Sequence, residues 1–228
     1  MGLALHALKA LAPYMKGASV LSLGYPDILA TRQECEELFG VEVKRTINAG
    51  MQHRIERELV ETTELFANLG VKFECVDVFN WRGFERICDL NYPHDLGKFD
   101  LVIDPGTTEH CFNIGQAMMN AASAVKVGGR IYHSPPMTMI NHGFYNICPT
   151  MLQDFYTQNG WEIEVLEARI GDSHISINKE AAAARKVNVL IETGMVCIAR
   201  RRTDAELKFP VQRRYQLMQK QHLQRKAA

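Results

Sequence analysis

Two stretches of the chain concentrate groups able to move protons or hold ligands. "DPGTTEHCFN" (104 to 113) carries Asp104, Glu109 and His110, and "NHGFYNICP" (141 to 149) carries His142 and Tyr145. Histidine titrates near neutral pH without help from its surroundings, so it suits removal of a proton from a hydroxyl acceptor. His142 is the first candidate for such a base and His110 the second, with Glu109 beside it. Each also has a plainer role open to it: His110 as a loop hydrogen-bonding group, Glu109 as a charge at the positive end of the helix that follows. His133, at a strand end, and His174 are weaker candidates. A cation accepts the ligand types of Asp104, Glu109, His110 and His142, but no HxxxH or DxD spacing joins them, so no metal is expected. Cys111 ranks below these as a nucleophile, since little beyond a helix N-terminus and His110 marks a thiolate site.

A third stretch, "ASVLSLGYPDILATRQ" (18 to 33), runs an apolar strand into one glycine, Gly24. A dinucleotide turn reads GxGxxG so that backbone amides can approach a pyrophosphate. Here Pro26 and Leu29 fill the second and third glycine positions, which argues against NAD, and no GK[ST] of a P-loop occurs anywhere.

The elements that must position these groups alternate between strand and helix, the pattern of an α/β layered sheet. Strands are expected at 19–23, 71–78, 86–90, 99–104, 129–134, 161–170 and 187–200. Helices are expected over 1–17, 51–70, 111–127 and 149–160. No helical crossover of good length separates the last two strands, so one strand near the end of an otherwise parallel sheet is expected to be reversed. The segment 171–186 reads as loop. In an open sheet of this kind the ligand crevice lies at the carboxyl ends of the strands, where strand order reverses. That draws attention to Gly24, Tyr25, Asp77, Asp89, Leu90, Asp104, Pro105 and Gly106.

The 228 residues show no composition break and are read as one domain, with 46% hydrophobic and 23% charged residues, as in ordinary globular chains. No apolar run approaches the ~18 residues a membrane span requires. The six cysteines form no CxxC pair, so reduced thiols and a cytoplasmic location are expected. Net charge is zero, yet residues 200–228 hold nine Lys or Arg against Asp204 and Glu206. This basic tail (203–228) reads as a solvated surface segment and not as a nucleic-acid clamp.

Taken in order, "LGYPD" (23–27), "DLNYP" (89–93), "DPGTTEHCFN", "VGGRIYHSPP" (127–136) and "NHGFYNICP" resemble the class I methyltransferases, and within them a bacterial group linked to glycan and natural-product pathways. The likeness covers residues 18 to 165. It implies an α/β, Rossmann-like, mostly parallel sheet with one antiparallel strand and helices on both faces, S-adenosylmethionine as cofactor, and a small-molecule acceptor, with a hydroxyl of a sugar or natural-product intermediate as the first choice. It further implies that Gly24 and Tyr25 line the methionine end, that Asp77 takes the ribose hydroxyls, that Asp89 and Leu90 meet the adenine, and that Asp104, Pro105 and Gly106 face the sulfonium. An adenosyl ligand without phosphate needs only one glycine in its turn, which accounts for "LGYPD". The gap from Gly24 to Asp77 is about 50 residues where such folds take about 20, so 31–69 is expected to be a helical insertion; alternatively "VEVKRTI" (41–47) is a strand and the ribose acid lies elsewhere. An N-methyltransferase, a non-catalytic binding protein using the basic tail, and association as a homodimer stay open.

Overall fold

The computed structural model of the protein describes residues 2–48, 58–171, 173–176 and 192–227. From the N-terminus, β1 (Gly2–Leu3) leads into α1 (Leu5–Met15), β2 (Ser19–Leu23) and β3 (Asp27–Ile28). The next segment holds α2 (Arg32–Phe39), β4 (Thr46–Asn48), β5 (Glu58–Val60) and α3 (Thr62–Asn68). Then come β6 (Lys72–Asp77), β7 (Arg86–Ile87), β8 (Phe99–Asp104), a 3-10 turn (Thr108–His110) and α4 (Ile114–Ser123). The chain finishes with β9 (Val125–His133), α5 (Pro149–Gln158), β10 (Glu162–Ile170), β11 (Ser173–Ser176), β12 (Gly194–Arg200) and α6 (Arg213–Ala227).

Eight strands form the main sheet in the order β11-β10-β12-β9-β8-β2-β6-β7. β2 pairs in parallel with both β6 and β8, and β8 with β9. β12 lies antiparallel between β9 and β10, which is the reversed strand expected from the sequence; the edge strand β11 adds a second reversal within a segment expected to be loop. Alternation along the strands splits the core between two faces, because successive side chains point to opposite sides. Val20, Leu101, Ile103, Tyr132 and Ile198 pack with α1 and α3, while Leu21, Leu23, Val102, Ile131 and Cys197 pack with α4 and α5. Helices therefore cover both faces, giving the Rossmann-like α/β architecture. All six cysteines are free thiols.

Residues 31–69 are mixed and not wholly helical. β4 and β5 pair antiparallel and join β3 and β1 in a separate four-stranded sheet. The helix expected over 51–70 falls partly outside the described residues, and within them it begins only at Thr62. The Glu61 carboxylate caps α3 by accepting from the amides of Thr63 and Glu64, and Leu59 and Val60 just before it are buried strand residues. The expected helix over 111–127 ends early, at Ser123, since Val125 already pairs with Phe99 as the first residue of β9. Within β9, Gly128 has φ +87° and a Cβ on Gly129 would meet the Asp100 carbonyl at 2.8 Å, so the glycine pair makes an irregularity inside a strand and not a helix stop. The strand expected over 187–200 begins at Gly194 among the described residues. The basic tail carries α6, whose large apolar residues Tyr215, Leu217, Met218 and Leu223 are exposed. Among the described residues no helix is long and apolar enough to cross a membrane.

Candidate active site

Strand order reverses between β2 and β8, and their carboxyl ends are fastened together: the Thr107 hydroxyl donates to the Leu23 carbonyl. Gly24, with φ +80°, turns the chain just past β2, and its amide donates to the Val76 carbonyl at 2.7 Å. A side chain at Gly24 would be strained in this left-handed conformation.

Asp104 does not face this crevice. It is fully buried, and Oδ2 accepts from His133 Nδ1 at 2.7 Å and from the Thr108 hydroxyl at 2.7 Å, while Oδ1 accepts from the Thr107 amide at 2.8 Å. Burial alone would raise its pKa, but these donors, His133 foremost, hold it below the ordinary carboxylate value. On the far side of the ring, the Tyr156 hydroxyl donates to His133 Nε2 at 2.5 Å; burial pushes the phenol well above its usual pKa, so it keeps its proton. The carboxylate expected to face a sulfonium is thus engaged within the protein. Its lone pairs are used inside the protein, where they knit β8, β9 and α5 together, and only Pro105 and Gly106 of that trio reach the cavity.

The Tyr25 side chain is also buried. Its hydroxyl donates to Glu61 Oε1 at 2.7 Å, and the Arg82 guanidinium stacks 4.1 Å above its ring while bonding Asp27 Oδ1 at 2.5 Å. Burial raises the Tyr25 pKa, and the Glu61 carboxylate raises it further. Thr62 Oγ1 donates to the Pro26 carbonyl at 2.9 Å. The "GYPD" turn is thus clamped by Glu61 and Thr62, at the head of the helix preceding β6, so the added segment braces the glycine turn from outside.

Asp77 ends β6, the immediate neighbour of β2, and among the described residues its side chain accepts one long 3.4 Å bond, from the Phe79 amide to Oδ1. That leaves most of its acceptor capacity unused. The strand at Thr46–Asn48 belongs to the small sheet, so it does not displace Asp77 from this place beside β2. Asp89 Oδ1 accepts from the amide and side chain of Asn91 at 3.0 and 2.7 Å, and the following loop is pinned by Asn120, whose Nδ2 donates to the carbonyls of buried Leu90 and of Tyr92.

The strongest assembly joins two separate motifs, 104–113 and 141–149. Glu109 and His110 close the 3-10 turn, and the 141–145 loop folds onto it: the amides of Phe144 and Tyr145 donate to the Glu109 carbonyl at 3.0 and 3.3 Å, and the Tyr145 hydroxyl to the Phe112 carbonyl at 2.8 Å. His142 Nε2 then stands 3.7 Å from Glu109 Oε1, and its ring lies 5.3 Å from that of His110. One ligand-type atom from each of Glu109, His110 and His142 falls within 4.8 Å of the others. Glu109 is fully buried, and among the described residues neither carboxylate oxygen has a hydrogen-bond partner. Burial first, and the Asp104 charge second, push its pKa up to about 8. Burial and the neighbouring His142 lower that of His110. Gly106 is required here, with φ +100°, because a Cβ would come within 2.9 Å of Glu109 Oε1. A cavity of about 570 Å³ opens over the cluster, lined by Pro105, Gly106, Pro135, Pro136, Met139 and Met195 among others.

No protein-family profile matches the sequence, and no curated protein matches it. Solved structures do. A SAM-dependent methyltransferase from Archaeoglobus fulgidus is 17% identical, with 86% of this chain and 91% of that one covered at a TM-score of 0.49. The 1,6-didemethyltoxoflavin-N1-methyltransferase of Burkholderia thailandensis, solved with 1,6-didemethyltoxoflavin and S-adenosylhomocysteine, is 13% identical over 87% of this chain and 78% of that one, at a TM-score of 0.47. A putative sarcosine dimethylglycine methyltransferase from Galdieria sulphuraria is 11% identical over 89% and 84%, at 0.45. The Rossmann-like architecture rests on the strand order of this chain itself.

Of the residues singled out in the sequence, the structure brings Glu109, His110, His142, Pro105 and Gly106 to one cavity. Gly24, Asp77, Asp89 and Leu90 follow the strand ends on the β2, β6 and β7 side and are not among its lining residues. Three contributors were missed. Tyr156 and Glu61 carry no local motif, since each acts through a partner remote in sequence. Gly143 stood inside a quoted motif, and its role shows only when the loop meets Glu109.

Proposed function

We propose that the protein is an S-adenosylmethionine-dependent methyltransferase acting on a hydroxyl oxygen of a small molecule, such as a sugar or a natural-product intermediate. The observation that carries this reading is the cavity beside the Pro105–Gly106 turn, with Glu109, His110 and His142 on its wall, past the carboxyl ends of β8 and β9 and next to the point where strand order reverses. Bound at that edge, the cofactor supplies a methyl group carried on a positively charged sulfur.

The residues present fit such a cofactor. Gly24 holds a left-handed turn that permits close backbone approach, Asp77 keeps acceptor capacity for a pair of ribose hydroxyls, and buried Leu90 offers an apolar contact beside Asp89. Pro105 and Gly106 separate this half from the acceptor cavity. Pro135, Pro136, Met139 and Met195 give the cavity apolar wall, and His142, His110 and Glu109 form the polar wall against which the acceptor hydroxyl sits and loses its proton. Alignment of the acceptor with the methyl group supplies much of the rate in an in-line displacement. A hydroxyl is favoured over an amine because Asp104, the acid before Pro105 that could otherwise have met an amine, has its carboxylate spent on His133 and Thr108.

Calorimetry with S-adenosylmethionine and S-adenosylhomocysteine tests the first half of the proposal, and incubation with methyl-labelled cofactor and cell extract identifies the acceptor. Failure to bind either nucleoside would overturn the reading and favour a binding protein that only shares the scaffold.

A further inference from the structure

We propose that Glu109, His110 and His142 form a binding site for one divalent transition-metal ion, of the zinc or manganese kind, on the wall of the cavity. The inference rests on the methyltransferase reading for its use but not for its existence.

Two independent observations point to a cation. The first is geometric: one imidazole nitrogen from each histidine and a carboxylate oxygen converge within 4.8 Å, and the His142 to Glu109 distance is 3.7 Å. Ligand atoms held about 2.1 Å from a tetrahedral zinc ion lie about 3.4 Å apart, so side-chain rotation of well under a turn closes the set. The second is the state of Glu109. A carboxyl group with no exposed surface and no hydrogen bond to either oxygen bears a desolvation cost that ordinary packing does not offset. Its oxygens border the cavity, and the glycine at 106 keeps the space next to Oε1 open.

The donor set selects the ion. Two imidazoles with one carboxylate suit borderline metals, whereas magnesium and calcium prefer all-oxygen shells. Three protein ligands leave at least one coordination position open, as catalytic sites require and structural sites do not. The cavity lies over that position, and His110 and His142 are exposed toward it. An acceptor hydroxyl seated there is held in place and made more acidic. Its proton leaves to water at the cavity mouth, and the ion makes and breaks no other bond. Spacing rules miss such a site because its third ligand arrives from a different loop, fastened to the turn by the backbone bonds at Glu109.

The test uses full-length, tag-free protein, treated with a chelator, dialysed, and titrated separately with zinc and cobalt. One ion per chain is expected, with visible cobalt absorption bands reporting nitrogen and oxygen ligation. Glu109→Gln and His142→Ala should each weaken binding at least about tenfold, the scale reached even by groups that only support a ligand. His222→Ala, on exposed α6, should bind as the parent does. Circular dichroism melts show that each variant is folded. Absence of stoichiometric binding by the parent, or unchanged binding by both site variants, would overturn the proposal. Calorimetry with S-adenosylmethionine on the metal-free protein is read separately, so loss of the metal site and loss of the methyltransferase reading are told apart.

Discussion

Gly143 lies against Glu109 with no room for a side chain: a Cβ there would sit 3.0 Å from the Glu109 carbonyl oxygen and 3.1 Å from its Cγ, with His110 Nδ1 at 3.2 Å. This contact sets how closely the His142 loop approaches the Glu109 turn. Gly143→Val should push the two apart and cost about 1–3 kcal/mol, the usual penalty for overpacking. Urea denaturation measures the cost, and turnover should fall by more than that loss of folded protein explains.

His142 stands at the exposed end of the cluster, so its removal should disturb chemistry and spare folding. His142→Ala is expected to slow methyl transfer by roughly 10²- to 10⁴-fold, the range for losing help in the departure of a proton. Cofactor affinity by calorimetry should stay as it was. Full activity on the true acceptor would remove His142 from the reaction.

Asp77→Ala should act in the opposite way. Loss of charge-assisted hydrogen bonds worth about 1.5–3 kcal/mol predicts cofactor binding about ten- to a hundredfold weaker, read by the same calorimetry.

Tyr156→Phe leaves His133 Nε2 buried without its donor, which should cost about 1–3 kcal/mol of stability with little change in cofactor affinity. Asp104→Asn should destabilise as well, since the carboxylate accepts from His133 and Thr108. A variant of Asp104 that lost cofactor affinity while melting like the parent would restore the carboxylate to the binding site.

Asp100 ties the starts of β2 and β8 by accepting from the Ser19 amide and hydroxyl and from Lys126. Burial works against its charge, but these bonds outweigh it and lower the pKa to about 2. A carboxyl depressed in the folded state stabilises above its unfolded pKa of about 3.9 and loses that effect as pH falls toward 2. Asp100→Asn should therefore melt below the parent at pH 5, and the two melting temperatures should converge as pH approaches 2.

The strands of the sheet centre were legible because they are buried on both sides: "SVLSL" and "FDLVID" match β2 and β8 residue for residue. Glu58 to Val60 was not, since its strand pairs within a small sheet built from segments remote in sequence, and helical periodicity across it was accidental. The same division holds at the site. Glu109, His110 and His142 announced themselves by residue type within motifs. Asp104 looked like a ligand-facing acid because its strand-end position is common to both roles, and only the arrival of His133 and Thr108 from other positions decides between them. The burial of the Tyr25 side chain was hidden for a similar reason: Glu61 and Arg82, which hold it, lie 36 and 57 residues away in sequence.

The floor of the cavity and its roof are built on separate principles. The floor is cross-braced by Asp104, His133 and Tyr156 across two strands and a helix, whereas the stretch from Pro136 to Ile147 is looped by the bond from the Ile147 amide to the Pro136 carbonyl and held by backbone bonds to Glu109 and Thr193. Such a stretch behaves as an exchangeable cassette. Transplanting a different sequence between those two anchors, with the histidine and glycine retained and the backbone bonds to Glu109 and Thr193 preserved, offers a route to new acceptors.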